Sequence, residues 1–463
     1  MLSSASRCWM AAGILLVAGA VRGAEAPASV TRPAEAAAPQ DAAAMLQAFL
    51  AEEDASRRAD LAGKFAAVAP KNWGDLKALL HRTAPRADLK PGRQEFVTRG
   101  EDGSEPIKYV LRVPAAYQGH EPQGWPLVIG LPGVGGNGEG ILGMVEGLLG
   151  PDVDRYLAVG VTPPDLGLFK ADKANAECAL SVLADVRHRA NVNSDRAVLM
   201  GVSKGGYATW NCVLFSPAEW AGAIPISSFP ITEAGLFQYL LYLPNVLGLS
   251  IQAHWGANDI EAGWNQGIST YSREVAAEMK RLGAGKFEGI EYPGEGHGLN
   301  VKAEKVREFV AAARRDAFPE QCHLIFHRLY QGRAGLVRAT AAVKGDFDFH
   351  ARRVVHVTSQ AGIIRELHDI YLAEAFELTV RMPPAGNAIA ILAKNIKEIE
   401  LELPAEKLDF TKPFRITLNG RSLLESARKV DWAEMLETAR RTYDFERLIA
   451  GRLRISVATG VAR

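Results

Sequence analysis

Apolar positions change their period twice along the chain. Over residues 41–81, apolar side chains recur three and four apart, as in MLQAFLAEEDASRRADLAGKFAAVA. That is the buried stripe of a helix. Pro91 and Gly92 end it. Between about residues 93 and 318, near-continuous apolar runs mark strands at 107–114, 126–133, 156–162, 196–201, 222–227, 249–256 and 287–294. Helical spacing fills several of the gaps, at 172–190, 205–215 and 269–282, and 302–316 reads as a closing helix. Strands without a polar face, separated by helices, predict a mostly parallel sheet covered on both sides, an α/β architecture. After Pro319 the period shortens. Alternating strands are expected at 336–349, 352–359, 375–382, 396–404 and 414–420, then a helix over 432–450 and a strand over 453–458. That pattern predicts a separate β-sandwich-like domain.

The N-terminal segment MLSSASRCWMAAGILLVAGAVRGAEAP follows a different logic. Arg7 precedes an apolar stretch from Trp9 to Ala20, and small residues follow around Gly23 to Ala26. This is the layout of a cleaved export signal, and the stretch is short for a membrane span, which takes about 20 apolar residues. The expected organisation is a signal at 1–24, an Ala/Pro-rich linker and helical segment at 25–92, an α/β domain at 93–320 and a β-rich domain at 321–463. A secreted or periplasmic location follows, with no membrane insertion once the signal is gone.

Composition narrows the function classes. The 463 residues are 48% hydrophobic and 23% charged, an ordinary globular balance. Lys+Arg and Asp+Glu both number 53, so no polyanionic partner such as nucleic acid is expected. Zinc-type Cys/His spacing and a Walker loop are missing, so no metal or cofactor is predicted. Cys178, Cys212 and Cys322 follow the expected signal, too few for a disulfide framework, and read as buried thiols.

Chemistry concentrates in RAVLMGVSKGGYATW, residues Arg196 to Trp210. Gly201, Ser203 and Gly205 satisfy G-x-S-x-G between an apolar strand and a helical stretch. In that setting the serine occupies a tight strand-to-helix turn with its oxygen exposed above the sheet. A glycine-rich turn whose serine merely caps the helix is the competing reading. A hydroxyl needs a base to act as a nucleophile. Asp259 and His297 follow in the expected order, each in a loop after a predicted strand, the edge where open α/β sheets build sites. His297 would take the proton from Ser203, and Asp259 would orient the imidazole. Glu261 is the reserve acid, and His254, inside an apolar strand, reads as a core histidine.

A tetrahedral intermediate needs two aimed N–H donors. One is expected from the backbone of Lys204. The other is expected from Val134 in LPGVGG, with Gly133 and Gly135 as neighbouring alternatives. The apolar segment SSFPITEAGLFQYLLYLPNVLG offers Phe229, Phe237 and Tyr239 as substrate-pocket candidates, and Trp264 follows Asp259. A packed helix over the sheet is an equal reading of that segment.

At these residues the chain resembles the α/β-hydrolase superfamily. GVSKGGYATW, LPGVGG and GAIPIS look like the secreted esterases and predicted peptidases of the prolyl-oligopeptidase, dienelactone-hydrolase and feruloyl-esterase type. The resemblance spans roughly residues 93–318 and implies a Ser–Asp–His hydrolase of acyl esters or amides that uses no metal. Two residues depart from it. Pro132 stands where a histidine is usual before the oxyanion glycine. Lys204 stands where an apolar residue is usual, either as a functional ammonium or as a solvated charge. The expected function is a secreted serine hydrolase cleaving carboxylic esters, carbohydrate or feruloyl-type among them, through an acyl-enzyme. A serine peptidase of prolyl-oligopeptidase type and an inactive hydrolase-like binding protein are the alternatives. The expected partner is a small-molecule or polymer-linked ester.

Overall fold

The helical period of residues 41–81 resolves into three short helices, α1 (Gln40–Ala51), α2 (Ala55–Phe65) and α3 (Trp73–Thr83). Asp54 and Asn72 divide them: their side chains accept the N–H groups of Arg57 and Asp75 and cap the second and third helices. The computed structural model describes residues 40–100, 105–164, 173–260, 267–384 and 386–458. The expected signal and most of the linker lie outside these residues.

A central sheet follows, built from β1 (Gly92–Thr98), β2 (Ile107–Val113), β3 (Trp125–Leu131), β4 (Leu157–Thr162), β5 (Val192–Val202), β6 (Gly222–Ile226), β7 (Ser250–Gly256) and β8 (Phe287–Tyr292). Its order is β1-β2-β4-β3-β5-β6-β7-β8. Strands β3 to β8 pair in parallel, while β2 runs antiparallel to both of its neighbours, β1 and β4. The expected mostly parallel sheet is therefore present, with one reversed strand. The edge strand β1 was not expected. It has no fully buried residue, so its sequence lacks an apolar run.

Both faces of this sheet are covered, which explains the unbroken apolar runs. Helices α4 (Gly138–Leu149) and α8 (Ala303–Ala312) cover one face, against Val128, Ala158, Val198, Met200 and Ile224. Between them in sequence, α5 (Lys173–Arg189), α6 (Lys204–Phe215) and α7 (Gly267–Arg281) contribute to the other face, with Leu127, Ile129, Val159, Leu199 and Ile251. Successive strand residues point to opposite faces.

Two smaller sheets follow residue 320. They use β9 (Gln321–Phe326), β10 (Arg333–Ala334), β11 (Val337–Ala342), β12 (Phe376–Arg381), β13 (Ala388–Lys394), β14 (Ile396–Pro404), β15 (Phe414–Leu418), β16 (Arg421–Ser426) and β17 (Ile449–Ser456). The orders are β10-β11-β14-β17 and β16-β15-β13-β12-β9. Helices α9 (Gln360–Glu374) and α10 (Trp432–Thr442) interrupt them. An additional β-rich region is thus present. The expected strand at 352–359 is not a strand: Val355 and Val357 alternate in sequence, but Val354 and Val357 stand exposed, and the segment pairs with nothing in either sheet. The late helix ends earlier than 450, because Tyr443 turns left-handed (φ 49°) and residues from Ile449 join β17. The apolar side chains of these sheets continue into the core of the central sheet. A second cluster joins α1–α3 to α10 through Leu46, Phe49, Phe65, Leu80, Leu436 and Phe445.

Candidate active site

Strand β5 delivers Ser203 onto a turn that only close packing can hold. Ser203 has φ 53° and ψ −117°, a left-handed backbone that is costly for a residue with a Cβ. Its N–H donates to the carbonyl of Ile226 at 2.9 Å, and its own carbonyl accepts from Tyr207 N–H at 3.0 Å. The flanking glycines explain themselves by distance. A Cβ on Gly201 would lie 2.1 Å from the carbonyl oxygen of Gly205, and one on Gly205 would lie 2.1 Å from that of Leu131. Side chains there would push α6 away from β5 and β3.

The neighbouring loops bring the other two groups to the same edge. His297 Nε2 lies 2.9 Å from Ser203 Oγ. Its Nδ1 lies 3.1 Å and 3.0 Å from the two oxygens of Asp259. A carboxylate only accepts, so Nδ1 carries the ring proton and Nε2 faces the hydroxyl with its lone pair. The Asp259 side chain is 0% exposed, whereas that of His297 is 35% exposed. The acid is thus shielded from water while the imidazole stays within reach of a ligand.

The acid and histidine loops are tied together through the backbone. Ala257 N–H donates to the carbonyl of Tyr292 at 3.0 Å, and Asn258 N–H to that of Glu295 at 2.8 Å. A Cβ on Gly256 would meet the carbonyl oxygen of Gly296 at 2.3 Å, so glycine permits this contact. Ser227 was missed from sequence. It is fully buried, has φ 48°, and its hydroxyl donates to the carbonyl of His297 at 2.8 Å. One serine after an apolar strand carries no sequence signal of that contact.

Lys204 opens α6, so its N–H has no acceptor within the helix and lies beside the serine. The Gly133 side of LPGVGG packs there too: a Cβ on Gly133 would lie 3.5 Å from the Ser203 Cβ. Next to it, Val134 is 59% exposed. His254 is a core histidine, held by Tyr292 Oη at 2.9 Å and Gln252 Oε1 at 3.0 Å, and burial depresses its pKa to about 4. Burial also raises the Cys178 thiol to about 12, and Cys178, Cys212 and Cys322 are all free.

The pocket candidates fall in different places. Phe229 is fully buried, stacked on Tyr271 at 4.5 Å and edge-on to Tyr207 and Tyr239. Tyr239 lines a cavity of about 480 Å³ between the 236–241 segment, α7 and α9. Trp264, Glu261 and the side chain of Phe237 lie outside the described residues. Among the described residues, no cluster of His, Cys, Asp and Glu is arranged to hold a metal, and no helix is long and apolar enough to cross a membrane.

No protein-family model and no curated protein sequence matches the chain. Among solved structures it is similar to a thermostable esterase, at 19% identity and a TM-score of 0.39 over 48% of this chain and 63% of that one. It therefore spans less than two thirds of that protein. It is also similar to poly(aspartic acid) hydrolase-1 from Sphingomonas sp. KT-1 (14% identity, TM-score 0.37, 49% of this chain and 99% of that one). An acetyl xylan esterase from Aspergillus awamori gives 12% identity and a TM-score of 0.37 over 48% of this chain and 99% of that one. The mostly parallel sheet flanked by helices, the serine on a strand-to-helix elbow, and the order Ser, Asp, His at strand ends make the chain an α/β-hydrolase in fold, with an additional β-rich region after residue 320.

Proposed function

We propose that the chain is a serine hydrolase that cleaves carboxylic esters through an acyl-enzyme. One observation carries this reading: Ser203 Oγ, His297 and Asp259 form a continuous hydrogen-bonded array at the open edge of the sheet. His297 Nε2 removes the hydroxyl proton as Ser203 Oγ attacks the ester carbonyl carbon. Asp259 holds the ring and stabilises the imidazolium. The tetrahedral oxyanion is received by the N–H of Lys204 and by the 133–135 loop, with Val134 as the second donor. Collapse expels the alcohol, which takes the proton from His297. Water then repeats the sequence on the acyl-enzyme and releases the acid. Every bond change is served by these groups, so the reaction calls for no cofactor. Export through the 1–24 segment belongs to the same reading.

Fluorophosphonate labelling tests it. The expected result is one covalent adduct on Ser203, lost in Ser203→Ala, together with hydrolysis of p-nitrophenyl acetate and feruloyl esters. Cleavage of peptide amides with inert esters would instead favour a peptidase. No adduct and no turnover in the folded protein would leave the binding-protein alternative.

A further inference from the structure

We propose that Lys204 is a carboxylate-binding residue of the same site, so that the preferred substrates are esters carrying a carboxylate near the scissile bond. This rests on the hydrolase reading above and specifies its substrate.

The position is an expensive one for an ammonium. Lys204 is the first residue of α6. A helix N-terminus carries about half a positive charge from its unpaired N–H groups, so a lysine there is repelled while an anion is attracted. The lysine is also half-buried. Among the described residues no carboxylate pairs with it. Of the described acids in the adjoining loops, Asp259 is fully buried against His297, and Glu295 accepts from Asn300 at 3.3 Å. Helical side chains lean toward the N-terminus. That lean directs the four-carbon stem of Lys204 toward the Ser203 end of α6.

A cation with no carboxylate partner among the described residues, on an already positive helix end next to the nucleophile, breaks a local rule at the functional site. A substrate anion resolves it, compensating the ammonium and the helix end together. The charge available matches a monoanion. The elbow's neighbours PGVGG (132–136), ANDI (257–260) and PGEGHG (293–298) contain no Lys or Arg. Among the described residues of these segments a dianionic phosphate would find the Lys204 ammonium alone, whereas a carboxylate is matched by it.

Two ester pairs test this, each comparing a carboxylate with its neutral amide. The pair 4-acetoxybenzoate and 4-acetoxybenzamide puts the charge on the alcohol side. Monomethyl adipate and methyl 5-carbamoylpentanoate put it on the acyl side. The expected result is a preference in kcat/KM of about tenfold or more for the carboxylate in at least one pair, shrinking as NaCl screens it. The preference should fall toward one in Lys204→Met and persist in Lys204→Arg. It is a ratio within one variant, so loss of overall activity does not obscure it, and melting curves confirm that each variant is folded. A wild-type enzyme indifferent to charge in both pairs, or a preference unchanged in Lys204→Met, overturns the proposal while fluorophosphonate labelling of Ser203 leaves the hydrolase reading standing. Absence of that labelling overturns both.

Discussion

Ser227 shows how much of the site depends on a single hydroxyl outside the reacting groups. Its Oγ holds the His297 carbonyl, and its N–H donates to the carbonyl of His254 at 2.8 Å. This fixes the histidine loop against the end of β6. Errors of about 1 Å in such positioning cost about a hundredfold in rate. Ser227→Ala is expected to lower kcat by about ten- to a hundredfold with little change in KM. Ser227→Gly separates positioning from folding, because glycine tolerates φ 48° without strain. It should melt above Ser227→Ala while showing the same reduced kcat. Activity that simply follows melting temperature in both variants would make Ser227 structural alone. The Ser203–His297–Asp259 array was legible because three chemical types stand in a known order at strand ends. Ser227 was not, because its partner is a backbone carbonyl contributed by a distant loop. Phe229 has the composition of a pocket wall, but neighbouring rings cover it completely.

The elbow is an arrangement of elements, and glycine sets their distances. Gly205→Ala would place a Cβ 2.1 Å from the Leu131 carbonyl, where backbone, not a flexible side chain, must yield. The shift moves α6 away from the 132–136 loop and separates the two expected oxyanion donors. Losing one such donor costs about a hundred- to a thousandfold in rate. Fluorophosphonate labelling of Gly205→Ala should slow by at least about a hundredfold, with a lower melting temperature. Gly143→Ala on α4 is the control. That site is exposed with nothing within 4 Å of the new Cβ, so stability should rise by about 0.5–1 kcal/mol with no change in labelling. Unchanged labelling in Gly205→Ala would remove the spacing argument. Strands β2 to β7 were legible because burial makes them apolar. Helix α4 was hidden by its own glycines and by the glycine-rich loop before it. Helix α9 was hidden differently: none of its residues is fully buried, so its period stands out less than a core helix would. The same weakness misled at 352–359, where alternating valines imitate a strand without a partner.

Across the whole molecule, a buried ionic network joins the central sheet to the β-rich region. Arg315, 1% exposed, makes a two-pronged contact with Asp444 at 2.7 and 2.8 Å and reaches Asp195 at 2.9 Å. Nearby, Glu402 of β14 accepts from Arg447 at 2.9 Å and Arg333 at 3.0 Å. Removing one partner strands a buried charge, at about 3–5 kcal/mol, whereas replacing both with apolar groups is often neutral. Asp444→Ala should therefore unfold far earlier in urea than Arg315→Met/Asp444→Leu. Equal losses in the two would reduce the network to incidental pairing. Titration gives an independent check on the buried groups. His254 and His327 are buried and both fall from 6.5 to about 4. Between those values the unfolded chain binds protons that the folded chain refuses, so acidification destabilises. Asp195 opposes this: burial raises it from 3.8 to about 6, so the folded chain gains a proton there as pH falls. Among these three groups, two histidines against one aspartate leave about one net proton favouring the unfolded chain, a slope of about 1.4 kcal/mol per pH unit, and burial lowers His323 as well, in the same direction. Below pH 4.5 Glu402 adds to the loss, because its three arginines hold it at about 2 despite burial. Melting temperature should stay level between pH 6.5 and about 8, decline from 6.5 to 4 and drop faster below 4.5. In His254→Gln, which keeps a polar partner for Tyr292, the decline between 6.5 and 4 should become shallower, since one of the protons that the folded chain refuses is gone. An unchanged slope in that variant would show that His254 is protonated as readily in the folded chain as in the unfolded one.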